Sequence, residues 1–140
     1  GLAAQRLKLG APNDHMVLPE VISKEPLGPV VRHGDDQWLD IVKWTLYAML
    51  EAEEMGIDSG NADAKKSDAN PGVKRLMGTE GDVGKNLGLS ADWAYNIVKQ
   101  VGNYGQSFEA HVGPNTPLQL PRGVNNLWNN GGLMYPMPAR

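Results

Sequence analysis

The chain has 140 residues, 41% of them hydrophobic and 21% charged, with a net charge of −3, the size of one domain or part of one. Its basic residues are scattered, with Lys65-Lys66 and Lys74-Arg75 as the only close pairs, which excludes the concentrated basic face that nucleic-acid binding needs. No apolar run reaches the roughly twenty residues of a membrane span, and with no cysteine there is neither disulfide nor thiolate chemistry.

In chain order, Gly1 to Leu9 reads as a short helix carrying Leu2, Ala3, Leu7 and Leu9. The first residue is Gly1, and the chain opens directly on what looks like the interior of an element. The expectation is therefore either a tag-cleavage scar or a piece of a longer protein. Gly10 to Asp14 is a turn by composition. Met16-Val17-Leu18-Pro19 and Gly28-Pro29-Val30-Val31-Arg32 read as two short extended segments. Pro26 and Pro29 lack an amide donor, so the second belongs at a sheet margin.

The pair Asp35-Asp36 is placed to cap a long helix over about Gln37 to Met55, because an aspartate oxygen takes the free amides of a first turn. Gly56 is its stop signal. Trp38, Ile41, Val42, Thr45, Met49 and Ala52 fall on one stripe at helical spacing, and Leu39, Leu46 and Leu50 form a second. So wide an apolar arc predicts a helix mostly covered by other protein. Trp44 and Tyr47 lie off the main stripe and need their own cover.

Ile57 to Asp68 reads as polar and small, with nothing to bury. Asn70 caps a short helix with Pro71 at its first position. "GTEGDVGKNLGL" has the glycines of a phosphate loop but neither the Gly-Lys-Ser/Thr closure nor a preceding buried strand, so no phosphate site is expected. Ser90 is placed to cap a helix whose Ala94, Ile97, Val98 and Val101 share a face. A final short helix is expected around Ser107 to Val112, then a turn or two from Pro121 to Trp128 and an extended end.

Candidate catalytic groups form no constellation. His15, His33 and His111 have no metal-ligand spacing. Glu51, Glu53 and Glu54, at a helix C-terminus, are expected to face water, and Asp35 and Asp36 have a structural task as caps. Ser67, Ser90 and Ser107 lack a nucleophile context. The expectation is no enzyme, no catalytic residue, no metal and no cofactor. The aromatic residues are expected to pack in the core rather than to cage a ligand.

The stretch "VLPEVISKEPLGPVVRHGDDQWLDIVKWTLYAMLEAEEMG" resembles the C-terminal part of bacterial periplasmic amino-acid-binding proteins, the solute receptors of ABC transporters. "GLAAQRLKL", "GKNLGLSADWAYNIVKQVGNYGQSFEAHVG" and "NTPLQLPRGVNNLW" are similar to the general L-amino-acid-binding branch, so the resemblance runs over essentially the whole chain. It implies an α/β fold: the C-terminal portion of a two-lobed type II periplasmic-binding-protein fold, mostly helical with a few short strands and incomplete as a lone domain. Residues 1–19 would then end the second lobe and residues 20–27 would return through the hinge, with Ile22, Ser23, Lys24, Glu25 and Pro26 as the crossing. Residues 28–140 would be the C-terminal part of the first lobe with an extended tail.

Receptors of this family hold the ligand carboxylate with an arginine from the N-terminal part of the first lobe, and the ammonium with an acidic residue just before the segment matching Gly1. Arg32 does not match that arginine, and no ligand-binding residue carries over to this chain. The resemblance thus implies a periplasmic parent that binds L-amino acids and docks on an ABC permease, while this chain alone would not bind amino acids. Without its covering sheet, the face made by Trp38, Ile41, Val42, Trp44, Thr45 and Met49 would be a core face left open, and the chain is expected to form a homodimer. The alternative is a stand-alone helical dimerisation or interaction module derived from such a receptor.

Overall fold

The structure is a computed structural model and describes residues 1–23 and 25–139. Among the described residues the regular structure is helical: α1 (Leu2–Arg6), α2 (Asp36–Glu54), α3 (Ala62–Lys65), α4 (Pro71–Leu76), α5 (Val83–Asn86), α6 (Trp93–Val101) and α7 (Tyr104–His111), with 3-10 turns at Pro12–Asp14, Gly123–Asn125 and Trp128–Asn130. The mostly helical expectation holds. The few short strands do not form: among the described residues the β pairing is a single isolated bridge, Leu127 to Met134. Met16 to Pro19 and Gly28 to Arg32 stay unpaired because Pro19, Pro26 and Pro29 donate nothing and no other strand lies alongside to make a ladder.

Helix α2 is the spine. Asp35 accepts the Trp38 amide at 3.2 Å, satisfying an orphan donor of the first turn. The helix ends one residue earlier than expected, at Glu54, and the chain leaves it through Met55 and Gly56. It packs against α6 and α7, and α3 packs against α6. The core between them contains Ala48, Ala52, Ile57, Ala62, Val73, Leu76, Met77, Leu87, Trp93, Ala94 and Val98. Small residues on α2 let the neighbouring helices approach closely, while Ile57, Leu76, Met77 and Val98 are fully buried, each contributing about 1.5–3 kcal/mol by the usual area scale.

Three local expectations are corrected. Ile57 to Asp68 does bury something: Ile57 and Ala62 are both in the core, since Ile57 follows directly on the C-terminus of α2 and Ala62 opens α3. Ser90 is not an N-cap; α6 begins three residues later, with no side-chain cap from its N-cap residue Asp92. Instead the Ser90 carbonyl accepts the Trp93 amide, and its side chain donates to Asp92, holding that carboxyl below the ordinary carboxylate range. Helix α7 starts earlier than expected because Asn103 and Gln106 close a capping box. By contrast, Asn70 accepts the Gly72 amide at 2.8 Å with Pro71 at the first position, as expected.

The first thirty-odd residues form an arm outside this core. Between the bond from the His15 amide to Pro12 and that from the Asp35 amide to Arg32, no backbone amide of a described residue donates to another backbone group. Such segments are preferred sites of proteolytic nicking. Trypsin at low ratio is expected to cut first after Arg32, which is exposed, leaving a resistant product beginning at His33; mass spectrometry of a time course checks this. An early cut within α2 or α6 would contradict it.

Candidate functional site

Arg6 ties the beginning of the arm to itself and to the body. Its guanidinium donates to the carbonyl oxygens of Pro12 at 3.3 Å and His15 at 3.4 Å, and reaches Gln119 Oε1 at 3.2 Å. Around it lies a largely apolar groove of about 520 Å³ lined by Leu2, Arg6, Leu9, Met16, Leu18 and Ile22. Of the expected hinge crossing, Ile22 is 97% exposed, Ser23, Glu25 and Pro26 are exposed, and Lys24 lies outside the described residues. Leu27 at 90% and Val30 at 96% continue this unpartnered apolar run.

On α2, the six residues expected to form a core or dimer face take a shoulder position. Trp38 is 51% exposed, while Ile41, Val42, Trp44, Thr45 and Met49 are half-buried. Ile41 and Trp44 touch the core from outside, and Thr45 Oγ1 donates back to the Ile41 carbonyl at 2.8 Å. Trp44 meets Tyr47 edge-on at 5.6 Å. The fully buried side of the helix is turned toward its C-terminal half, at Ala48, Leu50, Glu51 and Ala52.

The acidic end of α2 overturns the expectation of facing water for two of its three glutamates: Glu54 is exposed, but Glu51 and Glu53 are not. Glu51 is only 5% exposed, and its Oε2 accepts the Ala139 amide at 3.0 Å. Arg75 Nε donates to the Ala139 carbonyl at 3.2 Å, so the tail is held from both sides. Glu53 pairs with Arg122, with Nη1 to Oε1 at 2.9 Å and Nη2 to Oε2 at 3.1 Å. Glu54 accepts Trp128 Nε1 at 3.3 Å. The partners sit 69 to 88 residues away, beyond any local reading. The signal available was electrostatic: three carboxylates beside the negative end of a helix dipole are unfavourable unless something compensates them. Beneath the tail lies a cleft of about 490 Å³ between Glu51, Glu54, Lys65 and Asp68 on one side and Tyr135 and Pro138 on the other.

The histidines are dispersed. His15 Nδ1 lies 2.9 Å from the Ala11 carbonyl and His111 Nδ1 2.6 Å from that of Ser107. Among the described residues no group of three or more potential ligands could hold a metal. A polar cluster joins α3 to α6: Asp63 accepts from Lys99 at 2.8 Å and from the Tyr95 hydroxyl at 2.7 Å, and the Lys66 ammonium sits 3.3 Å over the Tyr95 ring. The bond from Lys99, then that from Tyr95, lowers the Asp63 pKa from its ordinary 3.8. The same bonds raise Lys99 above 10.5 and Tyr95 above 10.0.

A pH dependence follows from these directions. A depressed carboxylate contributes stability that is present above 3.8 and lost as pH falls through the lower folded value. The raised Lys99 and Tyr95 contribute below 10.5 and 10.0 and are lost as pH rises through their folded values. The stability difference between the native chain and Asp63→Asn is expected to be flat between those limits and to shrink outside them, as read from urea midpoints across pH. A difference that grows in acid would contradict the assignment.

No family model matches the chain. It is 61% identical over 99% of its length to the Escherichia coli K12 protein YhdW, named as an amino-acid ABC transporter-binding protein. It is 54% identical over its whole length to the general L-amino acid-binding periplasmic protein AapJ of Rhizobium johnstonii. The chain is homologous to periplasmic amino-acid-binding proteins of ABC transporters. A solved periplasmic binding protein from Brucella ovis, with glutathione bound, superposes on 99% of the chain with a TM-score of 0.93 at 50% identity. The chain spans about two fifths of the length of the curated amino-acid-binding relatives it matches and 44% of the Brucella chain. These relatives are named as binding proteins of transport systems, and among the described residues no helix is long and apolar enough to cross a membrane.

Proposed function

We propose that this chain is the C-terminal part of a periplasmic receptor that delivers L-amino acids to an ABC permease. In this reading residues 1–19 end the second lobe, residues 20–27 are the return crossing of the hinge, and residues 28–140 complete the first lobe and its tail. The observation that carries it is the match along the whole chain to amino-acid-binding relatives more than twice as long. The exposed Ile22, Leu27 and Val30 support it, being the apolar run that the rest of such a receptor would cover. The part the relatives have in addition supplies the groups that hold the amino acid, so the chain alone is silent toward ligand. Calorimetric titration with L-amino acids, and with glutathione in view of the Brucella neighbour, tests this on two proteins. One is the chain itself; the other is the chain joined behind the preceding part of YhdW. Binding only by the joined protein is expected. Saturable binding by the chain alone sinks the incomplete-cleft reading, and a folded joined protein that binds nothing sinks the receptor reading.

A second reading, self-association, is favoured by Trp38 and Leu39, both exposed at the start of α2, beside the apolar arm. Exposed apolar surface of this kind drives pairing of copies. Light scattering on the chain is expected to give a dimer mass; a monomer mass that holds as concentration rises excludes it.

A further inference from the structure

The turn that begins the tail contains the one Asn-Gly step in the sequence, Asn130-Gly131. We propose that Asn130 is a site of spontaneous covalent modification, deamidating through a cyclic imide with Gly131.

The backbone of the turn imposes this pairing. Gly131 sits at φ 79°, ψ 11°, a conformation costly for residues with a Cβ. At Gly132 a Cβ would run into the backbone of Asn126. Glycine must therefore follow Asn130, and a glycine amide is the least hindered backbone nucleophile a preceding asparagine can meet. Both residues are exposed. Among the described residues the Gly131 amide donates no backbone hydrogen bond, and none of the side-chain bonds formed there involves the Asn130 side-chain amide or the Gly131 amide. Neither reacting group has a bond to break first. The other asparagines differ: Asn61, Asn70 and Asn103 are tied by their side chains, and each is followed by a bulkier residue.

The step balances without an added reagent other than water. The Gly131 nitrogen, having lost its proton to solvent base, attacks the Asn130 side-chain carbonyl carbon; a C–N bond forms and ammonia leaves. Water then opens the five-membered imide at either carbonyl, giving aspartate or isoaspartate. Both products add a negative charge. Isoaspartate also lengthens the main chain by one carbon, inside the turn where Gly132 donates to the Leu127 carbonyl and Trp128 donates to that of Met134, each at 3.0 Å. The modification thus loosens the turn from which the tail runs back to Glu51.

The test is incubation of the intact chain in mildly alkaline buffer, followed by tryptic mapping of the peptide that begins at Gly123, with fragmentation able to distinguish isoaspartate. Expected is conversion at Asn130 before any other asparagine, faster as pH rises, and complete loss of that product in Asn130→Gln. An Asn130 that stays intact in the folded chain while converting in denaturant overturns the proposal, as does earlier conversion at another asparagine.

Discussion

Replacing Gly78 with alanine is expected to cost about 3–5 kcal/mol and to melt much of the helical body. Gly78 leaves α4 at φ 74°, and a Cβ there would meet the Ala91 carbonyl and, at 2.8 Å, the Asp92 nitrogen. These obstacles are backbone atoms, so no rotamer change relieves the collision. The segment they belong to leads into α6, whose Trp93, Ala94 and Val98 are core residues. Moving it aside therefore opens the core. Gly81 is the control: its φ is 83°, yet the nearest atom to a Cβ is Arg75 Cγ at 3.6 Å. Gly81→Ala is expected to cost only the backbone term of about 1–2 kcal/mol. Urea unfolding followed by circular dichroism compares them; equal losses at the two positions would refute the steric account.

Removing the Glu53 carboxylate is the second large effect. Glu53→Ala strands the Arg122 guanidinium, whose side chain is 14% exposed against 16% for Glu53, at a cost of about 3 kcal/mol. Arg122 is a junction: it donates to the Asn125 carbonyl at 3.1 Å from Nη2 and 3.3 Å from Nε. It also lies 5.2 Å from the Tyr104 ring centroid and 5.3 Å from that of Phe108. One side chain thereby ties the loop after α7 to both α2 and α7. Because the penalty is that of an uncompensated charge, Glu53→Met combined with Arg122→Leu is expected to be less destabilised than Glu53→Ala alone. Strictly additive losses in the same urea assay would rule out that coupling.

Helix positions were legible wherever a short-range rule governs them. Asp35 and Asn70 cap where their side chains and the following residues said they would, because a cap involves only the next turn. The interior of the core was partly legible: Ala94 and Val98 are buried as their spacing requires, but Val101, on the same stripe, is exposed. Gly102 ends the helix there, and spacing carries no information about where a neighbouring element stops. The failures are long-range. Glu51 and Glu53 read as solvated, as Glu54 is, because their partners lie near the other end of the chain. The extended segments around Met16 and Val30 looked like strands because period and proline placement describe a strand's own preferences, whereas a ladder also requires a neighbour. The assignment of Ile22 to Pro26 to a hinge comes from the family resemblance and belongs to the proposed function, since no property of those residues alone marks a crossing.

The arm has a thermodynamic signature of its own. The steepness of a denaturant transition and the heat-capacity change both scale with surface newly exposed on unfolding. Ile22, Leu27 and Val30 already meet solvent in the folded chain, so they contribute almost nothing to either quantity. A chain of 140 residues will therefore unfold with the slope and heat capacity of a smaller protein, roughly that of the segment from Asp35 onward. Covering the arm would raise both, at constant chain length.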